Sequence, residues 1–141
     1  MIFYLDTSAY IKLFVQEPGT EVVREAAVQA EVVASHMIAY AEMRSALGRL
    51  QREDRLTAKD AASIKRGFER HWKSVLRVIP EERAIRQAGT FAERFALKGY
   101  DSVHLACAFL LRKQSAMPLR FACFDTSLTK AATRLGLKTV G

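Results

Sequence analysis

Ile2-Phe3-Tyr4-Leu5 is an unbroken apolar run that stops at Asp6. A short apolar, aromatic and β-branched run closed by a polar residue reads as a buried strand. Thr7 or Ser8 then caps a short helix to about Gln16, which Pro18-Gly19 stops. Thr20-Glu21 opens a second helix to about Ala30, and Val32–Ala34 is the next strand. Ser35 reads as the cap of a helix reaching about Arg52. Thr57-Ala58-Lys59-Asp60 starts another, which runs to about Leu76. Ile64, Phe68, Trp72 and Val75 share one of its faces; Arg66, Arg70, Lys73 and Arg77 share the other.

Val78-Ile79 reads as a short strand before Pro80. Glu81–Lys98 is helical, with Gly99 as its stop. Asp101 then leads an apolar helix over Val103–Leu111. Phe121–Phe124 is a strand, Ser127–Leu135 a helix and Lys138–Val140 a last strand. Strands alternating with helices predict an α/β fold, a parallel sheet with helices on both faces.

With 141 residues, 50% of them hydrophobic, the chain is expected to form one compact domain over 1–141 with a sizeable core. No apolar run approaches the ~20 residues of a membrane span, and no basic stretch precedes the N-terminal apolar run. A cytoplasmic protein without a membrane partner is the expectation. Cys107 and Cys123 lie in separate apolar stretches and match neither a zinc pattern nor a disulfide framework. They read as buried, reduced thiols.

The net charge of +7 suggests a polyanionic partner such as nucleic acid or an acidic protein segment. The last 41 residues contain only two acids, Asp101 and Asp125, so general surface acidity does not explain them. Asp6-Thr7-Ser8 and Asp125-Thr126-Ser127 each follow an aromatic-rich strand and precede a helix. In a parallel sheet ligands bind outside the carboxyl ends of the strands, where both acids would sit. Capping of the following helix is the alternative for each. Glu42 stands among Ile38, Ala39, Tyr40, Ala41 and Met43, an apolar setting for a carboxylate; pairing with Arg44 or Arg49 on a solvated face is its alternative. Asp101 also reads as a helix cap. Several carboxylates brought together raise one another's pKa unless a cation neutralises them. Oxygen-only donors select Mg²⁺ or Mn²⁺ over zinc. Such an ion lowers the pKa of bound water and stabilises a leaving oxygen.

At these residues the chain resembles the PIN-domain ribonucleases, and within them the VapC-type toxins of prokaryotic toxin–antitoxin pairs. The matching segments are residues 2–9 around Asp6, residues 41–47 around Glu42, residues 99–106 around Asp101 and residues 124–128 around Asp125. The resemblance implies a three-layer α/β/α sandwich with a central parallel sheet, and a Mg²⁺- or Mn²⁺-dependent endoribonuclease that is usually a homodimer. It assigns the acidic quartet to Asp6, Glu42, Asp101 and Asp125, with Ser8 assisting. It also implies an RNA substrate and a small antitoxin whose C-terminal segment wraps the toxin. A metal-activated water would leave 5′-phosphate and 3′-hydroxyl ends.

Other residues carry two readings. Thr7, Thr126 and Arg44 are candidate supports for the acids or for a phosphate. Arg66, Arg70, Lys73 and Arg77 track an RNA backbone or form a solvated face. His104, one turn after Asp101, is a general base or a structural histidine. Trp72, Phe91 and Phe95 sit at core spacing and read as packing. A catalytically inactive basic module binding RNA or protein is the alternative function. A phosphoaspartyl hydrolase is a third; the haloacid-dehalogenase type wants a second Asp two positions on, where Ser8 stands.

Overall fold

The computed structural model describes residues 1–141, Met1 to Gly141. Five parallel strands form one sheet: β1 (Ile2–Leu5), β2 (Val32–His36), β3 (Leu76–Val78), β4 (Leu119–Ala122) and β5 (Lys138–Val140), in the order β3-β2-β1-β4-β5. Seven helices accompany them: α1 (Thr7–Tyr10), continued by a 3-10 turn over Ile11–Leu13, α2 (Thr20–Gln29), α3 (Ala39–Arg52), α4 (Ala58–Trp72), α5 (Glu82–Phe95), α6 (Gly99–Gln114) and α7 (Thr126–Arg134).

Side chains alternate along a strand, so a strand covered on both faces feeds two cores. β1 does this. Ile2 and Tyr4 enter a core with apolar residues of α5, α6 and α7. Phe3 and Leu5 enter the opposite core with residues of α1, α2, α3 and α4, including Met43, Phe68 and Trp72. The result is the expected three-layer sandwich. Both cysteines are free and buried. No helix is long and apolar enough to cross a membrane.

Several elements differ from their sequence patterns, each for a reason of tertiary pairing. β2 runs on to His36, and Ser35 caps nothing: its hydroxyl donates to the carbonyl of Leu5 at 2.7 Å, tying β2 to the end of β1. α4 stops at Trp72, because β2 recruits Leu76–Val78 as an edge strand, with Ser35 opposite Arg77. The basic stripe therefore breaks: Arg66 and Arg70 stay on α4, Lys73 is its C-cap, and Arg77 lies in β3. β4 starts at Leu119, where Ile2 fixes the register, which leaves Phe124 beyond the strand. α5 ends at Phe95 on a left-handed Ala96 (φ 53°), and Gly99 opens α6 instead of stopping α5.

Two backbone positions bear on the ends of these elements. Gly19, at φ 92°, precedes α2, and a Cβ there would stand 2.4 Å from the ring of Phe124. The absence of a side chain at Gly19 lets the Phe124 ring, in the segment leading to Asp125, lie close against the α1–α2 connection. Gly19→Ala is expected to destabilise the fold by roughly 1–3 kcal/mol, from left-handed strain and overpacking together. Ala96→Gly relieves the same strain and is expected to stabilise by about 0.5–1 kcal/mol. Denaturant unfolding of the two variants checks both signs; equal midpoints would show that neither position is strained.

Candidate active site

β1 lies at the centre of the sheet. The chain leaves it for β2 and β3 on one side, then returns to place β4 on the other. Such a reversal opens a crevice outside the carboxyl ends of the two central strands. Asp6 follows β1 directly, and its backbone N–H donates to the carbonyl of Ala122, the last residue of β4 (3.1 Å). Asp125 stands three residues past β4. Glu42 lies in the first turn of α3 and Asp101 in the first turn of α6. All four acids line one cleft of about 660 Å³.

Asp6 is 3% exposed. It caps α1: Oδ1 accepts from the N–H of Ala9 at 2.8 Å and from the hydroxyl of Ser8 at 2.7 Å. Burial nevertheless dominates and pushes its pKa up to about 6; His104 and these donors pull it down, and the neighbouring Asp101 charge adds to the rise. Asp101 is also raised, first by burial and then by the charge of Asp125. Its cap reading fails. Lys98 holds the N-cap position of α6, and the Asp101 carboxylate makes no hydrogen bond. Asp125 is exposed and keeps both readings, since its Oδ1 caps α7 through the N–H of Leu128 (2.9 Å) while the residue lines the cleft.

Glu42 is held differently. Its Oε1 accepts from the hydroxyl of Thr7 (2.8 Å) and lies 3.0 Å from Nε2 of His104. Burial works to raise its pKa, but His104 and the Thr7 hydroxyl outweigh it and hold Glu42 below its ordinary value. Arg44 is not its partner. That side chain turns to the Tyr40 hydroxyl (2.9 Å) and Glu69 (3.3 Å), joining α3 to α4.

The acids gather without forming a closed cage. No three His, Cys, Asp or Glu side chains stand close enough to hold a metal ion by themselves. The donor set still fits a hard divalent cation. Mg²⁺ commonly takes one or two carboxylates and keeps several waters, and mutual repulsion among Asp6, Asp101 and Asp125 favours positive charge between them.

Three basic residues line this cleft; sequence reasoning passed over Lys12 and Arg55 and weighed Arg49 only as an ion-pair partner of Glu42. Lys12 is buried, bonded to Glu17 at 2.6 Å and 4.4 Å from the centre of the Phe124 ring. Arg49 was legible: it falls seven residues after Glu42, two turns along the same face of α3, about 10 Å along the axis. Arg66 and Arg70 line a separate hollow on the outer face of α4. Thr126 is exposed at the start of α7 and outside the acidic cleft.

Residues 3–133 match the PIN domain family. The chain is 33% identical over 107 residues to Ribonuclease VapC45 of Mycobacterium tuberculosis, covering 76% of this chain and 74% of that protein. Its fold is similar to that of VapBC2 from Rickettsia felis, solved bound to a DNA fragment from its promoter (TM-score 0.66, 11% identity, 99% and 97% of the two chains). It is also similar to that of VapC20 of M. tuberculosis, a sarcin–ricin loop cleaving toxin (TM-score 0.63, 16% identity, 92% and 94%).

The raised pKa of Asp6 has a stability consequence. The folded protein keeps this proton to about pH 6, whereas the unfolded chain releases it near 3.8. Stability from this group is therefore full below the unfolded value and lost as pH rises through the folded one. In metal-free protein, Asp6→Asn keeps an acceptor for Ser8 and Ala9 and removes the charge. It is expected to stabilise at pH 8 by on the order of 3 kcal/mol and to match the parent below about pH 4. Thermal melts across pH test this; a variant less stable than the parent at pH 8 would sink it.

Proposed function

The chain belongs to the PIN-domain family, and on that premise we propose that it is a divalent-metal-dependent endoribonuclease, the toxin of a toxin–antitoxin pair. One observation carries the reading: four carboxylates from separate elements line one cleft at the switch point of the sheet, and the wall holds Arg49 and Arg55. Acids alone would repel RNA. Acids for a cation beside basic groups for phosphates fit a polyanion that must be both held and cut.

Asp6, Glu42, Asp101 and Asp125 are the proposed catalytic and metal-binding residues. The proposed ion is Mg²⁺, with Mn²⁺ able to replace it; when bound, it supplies an acidified water and stabilises charge at the leaving oxygen. Ser8 and the Ala9 N–H fix the Asp6 carboxylate, and its burial at 3% exposure keeps bulk water from most of it. Arg49 and Arg55 hold backbone phosphates beside the one that is cut. Water attacks phosphorus in line with the 3′-oxygen, which leaves, giving 5′-phosphate and 3′-hydroxyl ends. The proposed partner is an antitoxin that covers the same cleft, and the proposed setting is a cytoplasmic homodimer in which residues 1–141 act as one nuclease domain.

One observation favours the alternative, an inactive RNA- or protein-binding module: the carboxylates do not form a preassembled metal cage. Cleavage decides between them. Antitoxin-free protein is expected to cut cellular RNA at discrete sites with Mg²⁺ or Mn²⁺. EDTA or Asp101→Asn is expected to lower the rate by about a hundredfold or more, a few kcal/mol of barrier. Asp101→Asn leaves no hydrogen bond broken, so the variant should fold. Equal cutting in EDTA, or cyclic phosphate ends, would discard the mechanism.

RNA binding separates the basic groups. Replacing Arg49 and Arg55 with Ala is expected to weaken RNA binding. The slope of log affinity against log salt should flatten by about 0.7 for each phosphate left without its arginine. The same change at Arg66 and Arg70 is expected to have little effect. The reverse result would move the RNA path to the outer face of α4.

A further inference from the structure

Glu42 is the only one of the four acids whose carboxylate is held by side chains from two other elements. Thr7 of α1 donates to Oε1 at 2.8 Å, and Nε2 of His104 in α6 lies 3.0 Å from the same oxygen. No hydrogen bond reaches Oε2. The His104 ring is itself fixed. It is 2% exposed, its Nδ1 lies 3.3 Å from the hydroxyl of the fully buried Tyr4, and the Tyr4 and His36 rings meet it edge-on with centroids 6.0 and 5.8 Å away. Nε2 must carry hydrogen to meet a carboxylate, so the Tyr4 hydroxyl donates to Nδ1 when the ring is neutral.

We propose that His104, together with Thr7, is a positioning residue that holds Oε1 of Glu42 and leaves Oε2 as the one oxygen this acid offers to a divalent cation. The inference rests on the nuclease reading of the cleft and assigns a division of labour within it. Asp101 is left free of hydrogen bonds, while Glu42 is locked. The line of polar groups from β1 through α6 to α3 is buried at Tyr4 and His104 and part-buried at Glu42 and Thr7, and an unpaired member at its buried end costs heavily. Here every member of the line Tyr4–His104–Glu42–Thr7 has its partner, and the line ends at the cleft. Groups that orient a ligand in this way typically account for 10–100-fold in metal affinity.

The test is Mn²⁺ binding, read by the loss of the free-ion electron paramagnetic resonance signal, alongside RNA cleavage. His104→Leu removes the Nε2 donor. His104→Gln places an amide nitrogen near the same point. Thr7→Val removes the second donor at almost constant volume and protects the test if His104→Leu does not fold. His104→Leu and Thr7→Val are each expected to weaken Mn²⁺ binding by about 10-fold or more and to lower kcat more than they raise KM for RNA. His104→Gln is expected to recover most of the affinity.

In a Glu42→Gln background, neither His104→Leu nor Thr7→Val should weaken Mn²⁺ binding further, since they act through a carboxylate that is gone. Wild-type Mn²⁺ affinity in both single variants, or an undiminished loss in the Glu42→Gln background, overturns the inference while the nuclease reading stands. Parent protein that neither binds Mn²⁺ nor cuts RNA overturns both.

Discussion

β1 has no free edge and no free face. β2 and β4 take its backbone groups on either side, and the two cores take its side chains alternately. Only its carboxyl end is left for polar chemistry. A charge there is almost fully buried, so it is poorly hydrated and depends on the donors that reach it. That is the position of Asp6. The same sheet sets β4 beside it, and the link from the Asp6 N–H to Ala122 fixes the distance to the segment that carries Asp125.

The remaining acids come from helices that the sheet holds in place. α3 follows β2 and presents Glu42 from its first turn; α6 lies across the other face and presents Asp101 from its own. In a chain of net charge +7, the collection of four carboxylates in one cleft is an organised exception. Each is treated differently. Asp6 is buried and raised, Asp101 is raised and unbonded, Asp125 caps a helix, and Glu42 is lowered by two donors. On the proposed reading, an ion entering this cleft would meet one locked carboxylate, one free carboxylate and two that already serve the backbone.

The sequence pattern located β1, β5 and every helix longer than one turn, because apolar periodicity is a local property. It also singled out the four acids, from strand ends, an apolar setting and a resemblance. It misread the ends. The helical spacing of Arg66, Arg70, Lys73 and Arg77 is genuine as a pattern, yet the edge of β2 takes Leu76–Val78 into the sheet and breaks the stripe. Gly99 has the chemistry of a stop but opens α6, since Ala96 absorbs the left-handed turn. Ser35 has the chemistry of a cap but secures a strand.

Composition and order thus determined the alternation of strands and helices and the two-faced burial of β1, which depend on neighbours in the chain; the acids were marked by their local settings and selected as a quartet by the resemblance. Tertiary structure alone decided which side chains share the cleft. Thr7 and His104 are 97 residues apart and meet on one oxygen of Glu42; Arg49 faces the acids while Arg44, five residues earlier, faces α4. Hydrogen bonds and charges of this kind act over a few ångströms of space, whatever the distance along the chain. Only the packing of α1, α3 and α6 at the end of the sheet brings them within that range.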